Sequence, residues 1–158
     1  MLSYFEWLNN LPVSTAIRES VWMSPLVNVA HLAALVMFVG AVLIVDLKLL
    51  SNENEEGTPV AAIARGAEPW LLLGFFLLFL TGVPQLISNA LREYYSIFFW
   101  FKMVVMVLAL IFTFTIRRRV TLAPEGQFGT GARKLVGGLS ILLWGSVAIP
   151  ARLIGLFT

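Results

Sequence analysis

Four long apolar runs dominate the pattern of hydrophobic and polar positions along the chain. They cover approximately residues 25–46, 69–90, 97–116 and 134–156, and charged residues are rare within them. A helix of roughly 17–25 apolar residues crosses the ~30 Å hydrocarbon layer of a bilayer. The pattern therefore predicts four transmembrane helices.

Polar segments that contain glycine or proline separate these runs and predict loops. The connections comprise residues 51–68, 87–96 and 117–134. Short connections between successive helices favour antiparallel neighbours. We therefore predict an all-α fold, an integral membrane four-helix up-down bundle.

Residues 1–24 differ from the four-helix domain that we predict for residues 25–158. They include aromatic residues that favour the headgroup zone but no continuous apolar run. Ser14 is a residue type that caps helix N-termini, and Pro25 suits the first turn of the first span. We therefore predict a short amphipathic helix at the membrane interface that begins at Ser14 and reaches Trp22.

The composition supports membrane insertion. The chain has 158 residues, of which 59% are hydrophobic and 13% are charged, and its mean hydropathy is +0.87. A soluble domain contains about twice that share of charged residues. The net charge of +2 comes without the interleaved basic and aromatic residues that bind nucleic acid. Because the chain has no cysteine, disulfides, thiolate metal sites and iron–sulfur clusters are excluded.

Lysine and arginine are unevenly distributed between the two ends of the predicted bundle. The end that holds the first and third connections has seven of them, including the run Arg117–Arg119, and the other end has four. Positively charged residues favour the cytoplasmic side of a membrane. We therefore predict that both termini lie on the non-cytoplasmic side.

Each predicted span has a polar or ionisable residue near its non-cytoplasmic end. These residues are His31, with Asn28 one turn before it, Gln85, Lys102 and Arg152. Such residues are costly inside a bilayer and tend to face the bundle interior or water, so they are candidates for a functional site. We predict that they converge on one cavity, with Asn28 supporting the others. Alternatively, the long cationic side chains only reach the headgroups, and His31 only hydrogen bonds across helices.

Charged residues at the opposite end predict structural contacts rather than chemistry. Asp46 and Glu68 face Arg65 and the run Arg117–Arg119, which indicates ion pairs at the membrane interface. Glu68 directly precedes Pro69, and a carboxylate there would favour the N-terminus of the second span.

One spacing occurs twice along the chain. His31 lies fifteen residues before Asp46, and Lys102 lies fifteen residues before Arg117. The first and third spans run the same way in an up-down bundle. The spacing therefore suggests a duplicated helical hairpin with a parallel pseudo-repeat.

Three kinds of ligand suit the residues around His31. A neutral imidazole is an axial ligand for haem iron, and Lys102 or Arg152 suits a haem propionate. With one histidine per chain, the second axial position is open or is filled by Lys102, a methionine or another subunit. Copper would combine His31 with a methionine, and a quinone or a lipid headgroup would hydrogen bond with His31 and Lys102. The candidate methionines are Met23, Met103 and Met106.

Four segments show a resemblance to known families: AHLAALVMFVGAVLIVDLKLL, EPWLLLGFFLLFLTGVP, FFWFKMVVMVLALIFTFTIRRRV and LWGSVAIPARLIG. The chain as a whole resembles an uncharacterised family of short bacterial inner-membrane proteins, which implies a bacterial inner membrane with periplasmic termini. It is more distantly similar to the copper-resistance D membrane domain and to HemJ-type protoporphyrinogen oxidases, through His31 and the motif Trp100-Phe101-Lys102. That similarity implies a redox or metal-handling site at His31 and Lys102, with haem b as the cofactor.

Several functions stay open from the sequence. One is a redox module with haem b or a quinone at His31, and whether it is an enzyme stays undecided. The alternatives are a non-catalytic accessory or anchoring subunit of a larger membrane complex, and a module that binds or transports copper or another small solute. The expected partners are membrane lipids and either further copies of this chain or other subunits, without nucleic acid.

Overall fold

The computed structural model describes the backbone of residues 1–51, 58–124 and 126–157, and the side chains of these residues up to Ile149. Helices form most of this described part, and the third long helix contains a π-helical turn. In chain order the elements are α1 (Leu2–Asn9), α2 (Pro12–Glu19), α3 (Met23–Leu50), α4 (Val60–Ser88), α5 (Ala90–Tyr95), α6 (Ile97–Phe112), the π-helical turn (Thr113–Arg117), α7 (Arg118–Thr121) and α8 (Thr130–Phe157).

Four stretches are long and apolar enough to span a membrane. They are Met23–Leu50, Val60–Ser88, Ile97–Thr121 (called the third span below) and Thr130–Ile149. This confirms the predicted all-α membrane bundle. α3 packs along α4 and against α8, α8 packs against α6, and α4 meets the third span at α7.

The core lies where α3, α4, α8 and the π-helical turn meet. Gly74 of α4 allows close backbone contact with α3, because a Cβ there would lie 2.8 Å from the backbone nitrogen of Phe38. Phe38 is fully buried, and its ring centroid lies 4.6 Å from that of Trp144 in an edge-to-face arrangement. The Trp144 indole donates a hydrogen bond to Thr113 Oγ1 at 3.1 Å. These contacts connect α4 to α3, α3 to α8, and α8 to the third span, so they join all four spans.

We expect Gly74→Ala to lower the free energy of unfolding by about 1–3 kcal/mol, because the new methyl group would force α3 and α4 apart. Gly66→Ala on the same helix is the control, since a Cβ there has nothing within 4 Å. Its higher helix propensity should raise the stability by up to about 1 kcal/mol. Detergent-induced unfolding of the purified protein measures both. Equal effects of the two substitutions would contradict the close α3–α4 contact.

The second span begins nine residues before its predicted start. The sequence pattern predicted a loop up to residue 68 and a helix from Pro69, but α4 begins at Val60, so that prediction is wrong. Val60 and Ala64 lie one turn apart and are buried in a cluster with residues of α3. Burial of this face stabilises the helix across Pro69, and Pro59 is the N-cap residue directly before the helix.

The N-terminal segment forms two helices, and its predicted cap is wrong. α2 begins at Pro12, which suits the first turn of a helix, so Ser14 lies inside the helix and is not its N-cap. The helix also ends before Trp22. Ser14 is buried, and its hydroxyl donates to the carbonyl of Ile87 at 2.7 Å. Its polar side chain therefore fastens α2 to the end of α4.

The other spans extend beyond their predicted bounds. The first runs over 23–50 rather than 25–46, the third over 97–121 rather than 97–116, and the last helix over 130–157 rather than 134–156. A helix satisfies its own backbone hydrogen bonds, so it continues past the apolar run into polar sequence. For the same reason α5 forms within the predicted second connection. The division of the chain at residue 24 into two units stays a prediction.

Candidate functional site

The predicted polar cluster begins at the end of the α3–α4 pair that lies near α2 and α5. Gln85 Nε2 donates a hydrogen bond to Asn28 Oδ1 at 3.2 Å. About one turn deeper, His31 Nδ1 lies 2.9 Å from Thr81 Oγ1. From the first contact to the second, the residue number rises by about one turn on α3 and falls by about one turn on α4. The two helices are therefore antiparallel.

Thr81 determines which ring nitrogen of His31 is free. The Thr81 hydroxyl donates its single proton to the carbonyl oxygen of Leu77 at 2.7 Å. Its oxygen therefore accepts a hydrogen bond from Nδ1–H of His31. A neutral imidazole that is protonated at Nδ1 has its lone pair at Nε2. His31 thus offers Nε2 as a ligand atom or a hydrogen-bond acceptor.

Gly82 provides the space that the His31 ring occupies. A Cβ at this position would lie 3.3 Å from Cε1 and 3.8 Å from Nδ1 of the ring. The first distance is shorter than an ordinary van der Waals contact between carbon atoms. A larger residue at Gly82 would therefore shift the imidazole from Thr81.

Lys102 and Glu93 add charged groups at this end of the bundle. Lys102 of α6 is near enough to interact electrostatically with both His31 and Glu93. Burial raises the pKa of the Glu93 carboxyl, and the neighbouring Lys102 and Arg92 oppose that rise. The His31 end therefore combines an imidazole, an ammonium group and a carboxyl group whose charged form is disfavoured by burial.

The structure places the predicted site residues as follows. Asn28, His31 and Gln85 lie together on the α3–α4 pair, and Lys102 lies within electrostatic range of His31. The side chain of Arg152 lies outside the described residues. The convergence of the whole set on one cavity stays a prediction.

Three residues at this end of the bundle are absent from the predicted set. Thr81 lies one turn before Gln85 on the same face of α4, so helical spacing from Gln85 was the signal that could have identified it. Gly82 carries no such signal, because its role depends on the neighbouring helix. Glu93 lies on α5, which the sequence pattern predicted as a connection.

Metal ligands other than His31 are scarce in the described part of the chain. No group of three or more histidine, cysteine, aspartate or glutamate residues there could hold a metal ion. Of the candidate methionines, Met23 is 51% exposed and Met106 packs against the buried core. A copper site would therefore depend on His31 with few supporting ligands.

A second polar cluster lies at the opposite end of the bundle and is buried. Arg117 Nε donates to Asp46 Oδ1 at 2.7 Å, and Arg117 Nη2 donates to the carbonyl of Val42 at 3.0 Å. The side chains of Arg117 and Asp46 are 5% and 0% exposed. The predicted ion pairing is confirmed for these two residues, and both side chains are buried within the bundle. Their predicted position at the membrane interface stays a prediction. The π-helical turn ends at Arg117 and changes the helical register there, which directs the guanidinium toward α3.

Ser140 of α8 completes this second cluster. Its hydroxyl lies beside the Asp46 carboxylate, yet Ser140 Oγ and Asp46 Oδ2 are both buried outside hydrogen-bonding geometry. Gly137, one turn before Ser140, brings α8 close to α3, since a Cβ there would lie 3.0 Å from the carbonyl oxygen of Asp46. Buried polar atoms are nearly always hydrogen-bonded. A small approach of the two helices would allow Ser140 to donate to Oδ2.

Glu68 forms a more exposed ion pair nearby. Arg118 donates to Glu68 Oε1 from Nη2 at 2.8 Å and from Nε at 3.2 Å. The Arg118 and Glu68 side chains are 56% and 36% exposed. Glu68 lies inside α4, so the prediction that it caps the N-terminus of the second span is wrong.

Each of the two polar clusters brings a residue of the first span near a residue of the third, with the same separation in sequence. His31 is near Lys102, and Asp46 pairs with Arg117, with the same sequence separation within each pair. Fifteen residues separate the clusters along each helix, which is about 22 Å at 1.5 Å per residue. The two long spans therefore run parallel and in register, as the proposed repeat requires. A duplication as their origin stays a prediction.

Together these features define an all-α, multi-pass membrane protein with a polar cluster toward each end of its bundle. The chain belongs to the family of unknown function DUF6644, whose model matches residues 13–157. This confirms the predicted membership of an uncharacterised family. No curated protein and no solved structure matches the chain. The more distant similarity to the copper-resistance D and HemJ-type proteins stays a prediction.

Proposed function

We propose that this protein is a membrane redox module that binds haem b through Nε2 of His31. One observation carries the proposal: Thr81 Oγ1 lies 2.7 Å from the Leu77 carbonyl and 2.9 Å from His31 Nδ1. If the hydroxyl donates to the carbonyl, its oxygen accepts from Nδ1–H, and the lone pair of the imidazole is at Nε2. A ligating histidine typically donates its other N–H to a fixed acceptor, which orients the ring and strengthens the ligand. When bound, haem b supplies one-electron chemistry whose potential depends on its axial ligands.

The neighbouring residues suit this cofactor. The ammonium group of Lys102 would pair with a propionate, and Arg152 would add a second cation at the same predicted depth. Asn28 and Gln85 hydrogen bond to each other next to His31 and hold the ends of α3 and α4 together. Because the chain has one histidine, any further protein ligand would have to come from Lys102, a methionine or a second copy of the chain.

A quinone is the second candidate ligand, and Glu93 favours it. Quinone chemistry exchanges protons, and burial raises the pKa of the Glu93 carboxyl within electrostatic range of Lys102. His31 Nε2 would accept a hydrogen bond from a quinol hydroxyl, and Lys102 would donate to a quinone carbonyl.

The test is purification of the full chain in a mild detergent. We expect a Soret band in the absorption spectrum and iron that is stoichiometric with the chain. A bound quinone on solvent extraction, without a Soret band, would select the second candidate. A preparation without iron, copper or quinone would overturn the redox proposal and favour an accessory subunit of a larger membrane complex.

The proposed location is a bacterial inner membrane with both termini and the His31 cluster on the periplasmic side. The run Arg117–Arg119 at the opposite end of the bundle supports this orientation. Reporter fusions after Gly57 and after Gly129 should report cytoplasm, and fusions at either terminus should report periplasm. Periplasmic signals after both Gly57 and Gly129 would reverse the orientation.

We expect Thr81→Val to weaken cofactor retention, because valine has a similar shape but cannot accept a hydrogen bond from Nδ1–H of His31. Loss of such a supporting partner typically costs about 10–100-fold in affinity. Thr81→Ser is the matched control, since it retains the hydroxyl and should keep most of the cofactor. The ratio of cofactor to chain in the purified variants measures the effect, and equal ratios would show that Thr81 does not position the ring.

A further inference from the structure

A cleft opens between α4 and the third span at the end that contains the Arg117–Arg119 run. Its empty volume is about 410 Å³, which includes open space at its mouth. Because the cleft is open, a ligand larger than a few atoms would extend across that mouth.

The wall of this cleft combines small apolar residues with charged ones. Ala41 of α3 and Ala64 and Ala67 of α4 leave the space, and Glu68, Arg117 and Arg118 also line it. Arg117 is more than nine-tenths buried and is held by Asp46, so it is a fixed cation at the back of the cleft. Arg118 is more than half exposed at the mouth.

Basic residues lie in and next to this cleft. Of its lining cations, Arg117 pairs with Asp46 and Arg118 pairs with Glu68. Two further cations adjoin the lining in sequence, since Arg65 lies one turn before Glu68 on α4 and Arg119 follows Arg118 directly. Basic pockets between membrane helices on the cytoplasmic side suit anionic lipid headgroups, and this is the side that we propose for this end of the bundle.

We propose that this cleft binds an anionic phospholipid. Arg118 donates to the phosphate, in competition with Glu68, and the first methylene groups of an acyl chain lie against Ala41 and Ala67. A planar guanidinium is suited to phosphate because it donates two hydrogen bonds in parallel. The apolar wall distinguishes a lipid from free phosphate, since inorganic phosphate has no group that it could accommodate.

The test is native mass spectrometry of the full chain in detergent, titrated with phosphatidylglycerol or phosphatidylcholine. We expect phosphatidylglycerol to bind more tightly. We expect Arg118→Gln to weaken its binding about tenfold or more, because a charge-assisted hydrogen bond is lost. Arg18→Gln, at the other end of the bundle, is the matched control and should bind as the parent does. Glu68→Gln should strengthen binding, because it frees Arg118, and a variant that merely misfolds cannot give this result.

The shape of the cleft provides a second, independent variant. Ala67→Leu fills the space where the acyl chain would lie and should weaken phosphatidylglycerol binding, whereas Ala62→Leu on the exposed face of α4 should not. Equal affinity for the two lipids would overturn the proposal, as would unchanged binding in Arg118→Gln. Displacement of phosphatidylglycerol by an equal concentration of inorganic phosphate would also overturn it, because the site would then recognise a free anion.

Discussion

Asp46→Ala should lower the free energy of unfolding by about 3–5 kcal/mol, because it leaves a buried cation without its counter-ion. The Arg117 side chain is 5% exposed and would retain only its bond to the carbonyl of Val42. In the unfolded state a charged side chain can interact with water and lipid headgroups, whereas the buried site in the folded protein provides neither. The loss should therefore approach the upper part of that range.

Two further variants separate burial of charge from loss of a contact. The double substitution Asp46→Leu with Arg117→Met should recover most of the lost stability, since apolar residues of similar volume often replace a buried ion pair without cost. Glu68→Ala removes the partner of the exposed Arg118 and should cost less than about 1 kcal/mol. Detergent-induced unfolding monitored by circular dichroism measures all three. If Asp46→Ala and Glu68→Ala have the same small effect, the Asp46–Arg117 pair is not buried as described.

His31→Ala should abolish cofactor retention while the protein still inserts into the membrane. The substitution removes Nε2 but adds no polar group to the span, so α3 stays apolar enough to insert. His31→Lys should instead lower the amount of protein that accumulates, because it places a second cation near Lys102. Cofactor content per chain and the amount of protein in the membrane fraction measure the two effects. If both variants match the parent in these measurements, His31 has only a packing role.

Hydropathy alone predicts the four spans well, but it predicts helix ends poorly. The runs around His31 and Lys102 are apolar for long enough that a transmembrane helix is the natural outcome. The start of α4 was missed because Pro69 is a helix-start signal locally, whereas burial of Val60 and Ala64 against α3 is a tertiary effect. Sequence patterns contain the local signal and not the tertiary one.

The burial of Asp46 could not be predicted for a related reason. The predicted first span ended at Asp46, which would leave its carboxylate at the end of a helix, but α3 continues to Leu50 and packs against α4 and α8. The π-helical turn before Arg118 has no clear sequence signature, and yet it directs Arg117 toward α3. Opposite charge at the same end of the bundle and the shared fifteen-residue spacing indicated that Asp46 and Arg117 meet, but neither indicated that the pair is buried.

The candidate site was partly predictable. Asn28 and His31 share a helix face by their three-residue spacing, and depth in the membrane placed Gln85 and Lys102 near them. The contact with Thr81 and the space beside Gly82 depend on the packing of α3 against α4, which no single helix reveals. For this reason the sequence identified the residues but not the free nitrogen of the imidazole.

The central claim is that Nε2 of His31 is the ligand atom. Its most direct test is the haem content of the protein with and without added imidazole. The parent and His31→Ala are purified in parallel, and each is incubated with haem b in the presence or absence of imidazole. We expect a Soret band for the parent, none for His31→Ala, and a restored band when imidazole enters the space that the side chain vacated. A His31→Ala protein whose spectrum equals that of the parent without imidazole would contradict the claim.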